Sequence, residues 1–282
     1  MKIGFIGQGF IGNAYANNFE KRGYETVRYS LLPEHLANKE KIKDCRITFI
    51  AVPTPTTSQG FSAKIVEEVL PLIGLGNIAV IKSTILPGTT RRLQNKFPEI
   101  YLIHSPEFLT EKTCQQDADF PPRNIIGLSN KSTKEHGQEV LDNLPVSNFS
   151  LICRAEEAEM IKYTGNCFLY LKVLYMNLIW EACQAEGLDY NIVREGFSHD
   201  PRVGGSHNDP VHQGGRGAGG HCFIKDFAAL REFFANNVAL KNNQAEVQEA
   251  LAFLQEAEKY NQSLLRSTNK DADILAGVYG QS

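Results

Sequence analysis

The sequence has no excess of charge of either sign and no long apolar run, and each absence excludes a class of protein. The formal net charge of −3 over 282 residues offers no general attraction for nucleic acid or anionic lipid, so we expect neither partner. No stretch of about 18 uncharged apolar residues occurs, which excludes a membrane-spanning helix. The chain also enters a strand pattern within residues 1–6, without the basic and apolar regions of an export signal. We therefore expect a cytoplasmic protein.

The cysteines lack the spacing that a disulfide framework or a zinc site requires. All six are irregularly spaced and none belongs to a Cys-x-x-Cys pair, so the cytosol would keep them reduced. Four histidines precede or adjoin Cys222, namely His199, His207, His212 and His221. Their spacings of eight, five and nine residues match no common finger or helical ligand pair. We expect no metal site, and we interpret most of the cysteines as core residues.

Strand-like and helix-like segments alternate along the first half of the chain, and helix-like segments alone follow. The predicted strands are short β-branched runs ended by turn residues, at 2–6, 47–52, 78–82, 101–104 and 124–128. This alternation predicts an α/β fold with a doubly wound, mostly parallel sheet. The later pattern predicts helices over 156–187, 222–236, 244–262 and 271–282, with a glycine-rich loop over 200–220. We therefore predict a sheet domain over 1–153, an all-helical central domain over 154–240 and a helical tail over 241–282.

A glycine motif follows the first predicted strand directly and opens a helix. In this context Gly7 permits a tight turn, Gly9 lets the backbone approach a pyrophosphate and Gly12 allows close helix packing. The motif predicts a dinucleotide-binding Rossmann domain, with these candidate cofactor contacts: Gly7, Gln8, Gly9, Phe10, Ile11 and Gly12. Ser30 stands where an acidic residue normally binds the ribose of NAD, and Arg28 leaves NADP open as an alternative.

Cys222 lies in a second motif, Gly-Ala-Gly-Gly-His-Cys-Phe-Ile-Lys-Asp, at 217–226. The helix that follows would place the thiol in its positively polarised first turn, where a thiolate is stabilised. Asp226 lies four residues on and so shares a helix face with Cys222. Three glycines leave the backbone beside the thiol unobstructed: Gly217, Gly219 and Gly220. A buried, inert cysteine is the competing interpretation, but the glycines and the carboxylate favour a reactive one.

Lys162 and Asn166 lie four residues apart on the long predicted helix, and therefore on one face of it. Gly165 between them costs about 1 kcal/mol relative to alanine. This cost indicates that something packs or binds closely there. The competing interpretation is a solvated charge near the start of a helix.

Seven motifs in consecutive order resemble those of the UDP-glucose/GDP-mannose 6-dehydrogenase family. They lie at 7–12, 52–56, 82–84, 105–111, 158–166, 200–204 and 219–226. The resemblance covers roughly residues 1–240, and the motif around Cys222 is its most specific part.

The resemblance implies an NAD-dependent oxidation of the C6 alcohol of a sugar, or of a nucleotide sugar, to the carboxylate. In that family the cysteine captures the aldehyde as a thiohemiacetal, and a second hydride transfer leaves a thioester for hydrolysis. A thiolate suits this task because it is strongly nucleophilic and keeps the aldehyde bound. The family uses two NAD per sugar.

The resemblance also assigns roles by matching position. Lys162 would stabilise the developing oxyanion, with Asn166 beside it as a hydrogen-bond donor. Thr84, Glu107 and Asp226 would position or deprotonate the hydrolytic water. Matched cofactor contacts are Val52, Pro53, Thr54, Pro55, Thr56, Ser83, Thr84, Glu111 and Lys225. Matched substrate contacts are Glu107, Phe108, Leu109, Lys162, Asn166, Gly217, Gly219, Gly220 and Arg202. The last of these would reach the sugar from the neighbouring subunit of a homodimer formed through the long helix.

The chain also departs from the family pattern. Family members continue into a second Rossmann-like domain that binds the nucleotide, whereas residues 243–282 predict two helices, so we expect that domain to be absent. Arg216 is a candidate replacement for one phosphate contact.

Two alternative functions remain open. One is a two-electron hydroxyacid dehydrogenase that uses Lys162 and Asn166 without Cys222, and the other is a non-catalytic protein that binds a nucleotide sugar or a cofactor.

Overall fold

The structure, a computed structural model, describes residues 1–237 and 244–280. The chain divides into two compact units. Unit 1 contains Met1–Pro55 and Ser62–Lys162, and unit 2 contains Thr56–Phe61 and Tyr163–Ser282. The predicted boundary at 240/241 lies outside the described residues, and the division into three segments stays a prediction.

Strands and helices alternate along the first part of the chain, and helices with short strands between them follow. The strands are β1 (Lys2–Ile6), β2 (Glu25–Tyr29), β3 (Ile47–Ile50), β4 (Thr56–Thr57), β5 (Gly60–Phe61), β6 (Ile78–Ile81), β7 (Tyr101–His104), β8 (Asn124–Leu128), β9 (Ser150–Arg154), β10 (Val211–His212) and β11 (Gly215–Arg216). The helices are α1 (Phe10–Lys21), α2 (Pro33–Leu36), α3 (Lys64–Val69), α4 (Thr89–Lys96), α5 (Cys114–Asp119), α6 (Lys134–Asn143), α7 (Ala155–Glu186), α8 (Tyr190–Ser198), α9 (Gly220–Asn236), α10 (Gln244–Ser267) and α11 (Ala272–Tyr279).

Unit 1 is built on a seven-stranded sheet in the order β2-β1-β3-β6-β7-β8-β9. Each neighbouring pair is parallel except β7 and β8, which run antiparallel. Every residue of β3 and β6 is buried, as expected for parallel strands that are covered on both faces. The predicted Rossmann-type, mostly parallel α/β fold is confirmed. The edge strand β9 was missed, because its half-buried residues carry no long apolar run.

Aromatic rings fill the core of unit 1 beneath the glycine loop. Phe5 of β1 and Phe49 of β3 stack at 5.4 Å between ring centroids, and Phe19 of α1 meets Phe49 at 5.3 Å. All three side chains are buried. Because β1 and α1 flank the glycine loop, this packing fixes where the loop lies.

Unit 2 is helical, with two short hairpins. Tyr170 of α7 stacks on Phe227 of α9 at 3.9 Å between centroids. A second cluster joins α9 to α10 and α11, and its buried members are Ile224, Ala228, Leu265, Leu275 and Val278. No helix among the described residues is long and apolar enough to cross a membrane.

Four predictions of secondary structure in unit 2 need correction. The predicted loop over 200–220 contains the hairpin β10–β11, whose turn residues Gln213 and Gly214 have φ values of 51° and 81°. Gln-Gly is a weaker turn signal than Asn-Gly, which explains why the pattern was missed. Helix α9 begins at Gly220, two residues before the predicted start, and α10 continues to Ser267 rather than 262. The last predicted helix ends at Tyr279, and residues 281–282 lie outside the described part of the chain.

Candidate active site

The glycine loop between β1 and α1 has the geometry that a dinucleotide pyrophosphate needs. Gly7 has a φ of +89°, and a Cβ there would lie 2.3 Å from the Ala51 carbonyl oxygen. A Cβ on Gly12 would lie 1.9 Å from the Gly7 carbonyl oxygen, so glycine alone lets α1 start against β1. At Gly9, no heavy atom of the described residues lies within 4 Å of an added Cβ, which leaves the backbone open to a ligand. Gly9 is also the N-cap of α1, whose first amides favour an anion, so NAD fits this loop.

The ends of β3 and β6 are joined by hydroxyl groups of the predicted cofactor contacts. Ser83 Oγ donates to the Val52 carbonyl at 2.7 Å and accepts from the Val52 amide at 3.0 Å. Thr54 Oγ1 donates to the Thr84 carbonyl at 2.7 Å. Since ligands of open α/β sheets bind beyond the carboxyl ends of the strands, these residues lie at the expected edge. Of the remaining contacts, Pro53 and Pro55 flank Thr54, Thr56 begins β4 in unit 2, and Glu111 is exposed.

Arg28, which left NADP open, is already engaged by other side chains. Its guanidinium forms an ion pair with Glu20 at 2.7 Å and donates to Asn13 and Asn17. Ser30 Oγ accepts from the Leu32 amide at 3.2 Å. A carboxylate therefore matches the charge of Arg28, which leaves no unmatched positive charge there to favour the 2′-phosphate of NADP.

Lys162 of α7 and Glu107 form a buried ion pair in unit 1. Lys162 Nζ lies 3.0 Å from Glu107 Oε1 and donates to the Glu107 carbonyl at 2.8 Å. The side chains are only 7% and 6% exposed. The second carboxylate oxygen of Glu107 accepts from the Leu109 amide at 2.7 Å, and the Phe108 ring lies 5.5 Å from Lys162 Nζ. These contacts hold an ammonium and a carboxylate in one fixed orientation, which suits stabilisation of an oxyanion.

Lys82, at the carboxyl end of β6, is a candidate site residue that sequence reasoning missed. Its Nζ lies 3.1 Å from Ser105 Oγ and 3.3 Å from Tyr15 Oη, and the side chain is buried. Burial lowers the pKa of Lys82 to about 7, while Glu107 opposes the shift and Lys162 adds to it. A lysine that directly follows four buried apolar strand residues was the available signal.

Cys222 lies in the first turn of α9, and its side chain is exposed. This turn carries the positive end of the helix dipole, which stabilises a thiolate. One turn further, Asp226 is 1% exposed and accepts a hydrogen bond of 2.7 Å from Asn166 Nδ2. Lys225 forms an ion pair with the same carboxylate. The structure therefore brings Asn166 of α7 together with Lys225 and Asp226 of α9, the helix that carries Cys222, in unit 2.

The two predicted arginines have neighbouring carboxylates. Arg202 is 85% exposed on its side chain and pairs with Asp200 at 2.6 Å. Arg216 pairs with Glu181 at 2.6 Å and lies 4.1 Å over the Trp180 ring. Glu181 matches the charge of Arg216, and a phosphate contact by Arg216 stays a prediction.

The predicted site residues thus form two sets. Thr84, Glu107 and Lys162 belong to unit 1 with the glycine loop, whereas Asn166 and the residues around Cys222 belong to unit 2. The glycines Gly217, Gly219 and Gly220 directly precede or begin α9.

Two family models match the chain, one in each half. Residues 31–144 match the model described as the UDP-glucose/GDP-mannose dehydrogenase family, NAD binding domain. Residues 156–263 match the central domain of the same family. The chain belongs to the UDP-glucose/GDP-mannose dehydrogenase family. The predicted family and NAD as the cofactor are confirmed.

Curated relatives in this family are considerably longer than the chain. UDP-glucose 6-dehydrogenase of Rickettsia bellii is 27% identical over 233 residues, which cover 79% of this chain and 53% of that protein. The enzyme YwqF of Bacillus subtilis, also named UDP-glucose 6-dehydrogenase, is 30% identical over 67% of this chain and 44% of its own length. The chain therefore spans about half the length of these relatives.

Solved structures of several dehydrogenases share the fold. A UDP-glucose dehydrogenase from Pyrobaculum islandicum matches with a TM-score of 0.79 at 24% identity, over 94% of this chain and 68% of that one. A 3-hydroxyisobutyrate dehydrogenase from Mycobacterium tuberculosis matches with a TM-score of 0.69 at 14% identity, over 99% and 98% of the two chains. At these identities the matches establish the architecture alone.

Proposed function

We propose that this chain oxidises the C6 primary alcohol of a sugar nucleotide to the carboxylate, with NAD as the oxidant and Cys222 as the covalent nucleophile. The exposed Cys222 thiol in the first turn of α9 is the observation that carries the proposal. The helix dipole favours its thiolate form, and the thiolate is the reactive species. The order of the motifs and the family membership support the substrate class.

In the first oxidation, C6 gives up a hydride and its hydroxyl group gives up a proton to solvent, which leaves an aldehyde at C6. NAD, when bound, takes up the hydride in this step and in the next. The Cys222 thiolate then adds to the aldehyde carbon, and the carbonyl electron pair moves to oxygen. Lys162 stabilises that negative charge, because its ion pair with Glu107 keeps the ammonium buried and oriented.

The second oxidation converts the thiohemiacetal on Cys222 into a thioester. Water attacks the thioester carbon, the C–S bond breaks and the thiolate is regenerated. Glu107 or Asp226 accepts the proton from this water, which Thr84 helps to position. Asn166 and Lys225 hold the Asp226 carboxylate for this task. The glycine loop at Gly7, Gly9 and Gly12 holds the cofactor pyrophosphate.

We also propose a homodimer formed through α7. Apolar residues recur at intervals of three and four along one face of this helix: Phe168, Leu171, Tyr175, Leu178 and Ala182. Phe168, Tyr175 and Leu178 are 63%, 51% and 52% exposed. A stripe with this heptad spacing is typical of a helix that packs against another helix. In such a dimer, Arg202 would reach the sugar bound by the neighbouring copy.

The stoichiometry of NADH formation tests the proposed reaction. We expect two NADH per molecule of acid when the protein is assayed with UDP-, GDP- and free sugars. Cys222→Ser should abolish acid formation, whereas Cys114→Ser, which changes a half-buried cysteine of unit 1, should not. One NADH per turnover, with Cys222 dispensable, would instead support the two-electron dehydrogenase and overturn the proposal.

A further inference from the structure

Side chains from α10 and from the turn before α11 form hydrogen bonds with the backbone that leads into Cys222. This loop, residues 215–220, is called the pre-α9 loop. Asn261 is 2% exposed, and its side chain accepts from the Ala218 amide at 2.7 Å and donates to the Ala218 carbonyl at 3.0 Å. One amide side chain therefore satisfies both backbone groups of a buried loop residue, as a neighbouring β-strand would.

Two charged side chains hold Gly217 and Gly220, which lie before and after Ala218 and Gly219. Lys270 is 7% exposed and donates from Nζ to the Gly217 carbonyl at 3.0 Å. Asp271 Oδ2 accepts from the Gly220 amide at 2.7 Å. Gly219, the N-cap of α9, has no side chain, so Asp271 supplies from another element the acceptor that a capping residue normally provides.

The same contacts explain why three residues of this loop are glycines. A Cβ on Gly217 would lie 2.8 Å from Asn261 Oδ1, and one on Gly219 would lie 2.1 Å from Asp271 Oδ2. A Cβ on Gly215 would lie 2.7 Å from Lys270 Cβ. Side chains at these positions would displace Asn261, Lys270 and Asp271. Protein packing thus explains Gly215, Gly217 and Gly219, whereas at Gly220, which has a φ of +80°, no heavy atom of the described residues lies within 4 Å of an added Cβ.

We infer that Asn261, Lys270 and Asp271 are positioning residues for Cys222, and that they fix the conformation in which α9 presents its thiol. The inference rests on the proposed function for its catalytic consequence. Its structural consequence, the orientation and reactivity of the Cys222 thiol, does not depend on that function. A 1 Å displacement of a reacting group can cost about a hundredfold in rate, so a loop held at Gly217, Ala218 and Gly220 has a direct kinetic value.

Alkylation of Cys222 by iodoacetamide across pH tests the inference without any substrate. The rate profile gives the apparent pKa of the thiol and its limiting reactivity, and a Cys222→Ser sample supplies the background from the other five cysteines. We expect Asn261→Ala and Lys270→Met to shift that apparent pKa by about half a unit or more, because the helix amides no longer face the thiol in one orientation. In turnover, these variants should lose about tenfold or more in kcat while KM changes by less than about threefold.

Matched controls lie on the same helices. Gln255→Ala removes an exposed amide from α10, and Asp273→Asn removes an exposed carboxylate from the first turn of α11. Both should keep the wild-type alkylation profile and kcat. Asp271→Asn keeps an acceptor for the Gly220 amide and should retain most of the activity that Asp271→Ala loses.

Circular dichroism identifies the variants that remain folded. If Asn261→Ala unfolds, the Lys270→Met variant shows whether contacts with this loop position Cys222. A folded Lys270→Met or Asn261→Ala variant with wild-type alkylation kinetics would overturn the inference. Failure of the proposed function has a different signature, because one NADH per turnover would leave the alkylation result untouched.

Discussion

Lys82 is a buried lysine whose Nζ contacts two hydroxyl groups and lies 4.3 Å from the centroid of the Tyr15 ring. Tyr15 and Ser105 both contact its Nζ, and burial lowers the pKa of Lys82 to about 7. In the unfolded chain a lysine titrates near its ordinary value, about 10.4. Between these two values the unfolded state binds more protons than the folded state, so stability must rise with pH across this window.

We therefore predict that Lys82 makes the protein more stable at pH 10 than at pH 7. The free energy of unfolding should rise by up to about 1.4 kcal/mol per pH unit from this residue. Lys82→Met should remove that rise and increase stability at pH 7, because no buried charge remains. Urea unfolding at pH 7, 8, 9 and 10 measures this, with Lys39→Met at an exposed position as the control. An equal pH dependence in wild type and Lys82→Met would contradict the prediction.

At the scale of elements, carboxylates from distant segments cap two helices whose N-cap is glycine. Asp271 caps α9 through the Gly220 amide. Glu159 of α7 caps α4, since its carboxylate accepts from the Gly88 amide at 2.6 Å and from the Thr90 amide at 2.8 Å. The Thr90 hydroxyl donates to the same carboxylate at 2.6 Å.

Removing the Glu159 cap should destabilise unit 1. Glu159→Ala would leave buried donors at the start of α4 without an acceptor, at a cost of about 1–3 kcal/mol. Chemical denaturation measures the loss. Glu157→Ala serves as the control, because it removes only exposed contacts, with the Arg154 side chain and the Arg154 amide, and it should cost less than about 1 kcal/mol. If Glu159→Ala were no less stable than Glu157→Ala, the cap would have no structural value.

The elements that the sequence predicted well are those with a local signal. The glycines at Gly7, Gly9 and Gly12 sit between a strand and a helix in the chain itself, and their geometry follows from that order. The ion pair of Lys162 with Glu107 joins residues 55 positions apart. The contacts of Asn261 and Asp271 with the loop before Cys222 span 43 and 51 positions. Such pairings depend on how distant segments pack together, and a local sequence pattern does not predict them.

At the scale of the whole molecule, the two units carry different parts of the proposed chemistry. Unit 1 holds the loop for the cofactor and the pair of Lys162 and Glu107, and unit 2 holds Cys222 with Asn166 and Asp226. The exposed stripe of α7 lies in unit 2 as well, which links the proposed dimer to the unit that carries the nucleophile.

The dimer is tested at this scale by a charge placed in the stripe. Leu178→Glu should shift the protein from dimer to monomer in sedimentation velocity, because a carboxylate in an apolar helix interface is costly to bury. Val146→Glu changes an apolar residue of unit 1 that is 94% exposed, and it should leave the oligomeric state unchanged. A monomeric wild type, or a dimer that survives Leu178→Glu, would contradict the proposal.

Mass spectrometry of the quenched reaction shows whether Cys222 carries the substrate covalently. Acid quenching during turnover with NAD and a nucleotide sugar should trap an acyl adduct on the peptide that contains Cys222. Glu107→Gln should increase the trapped fraction, because hydrolysis of the thioester loses a candidate base. Cys222→Ser should show neither the adduct nor the acid product. Acid formation by Cys222→Ser at the wild-type rate would contradict the account.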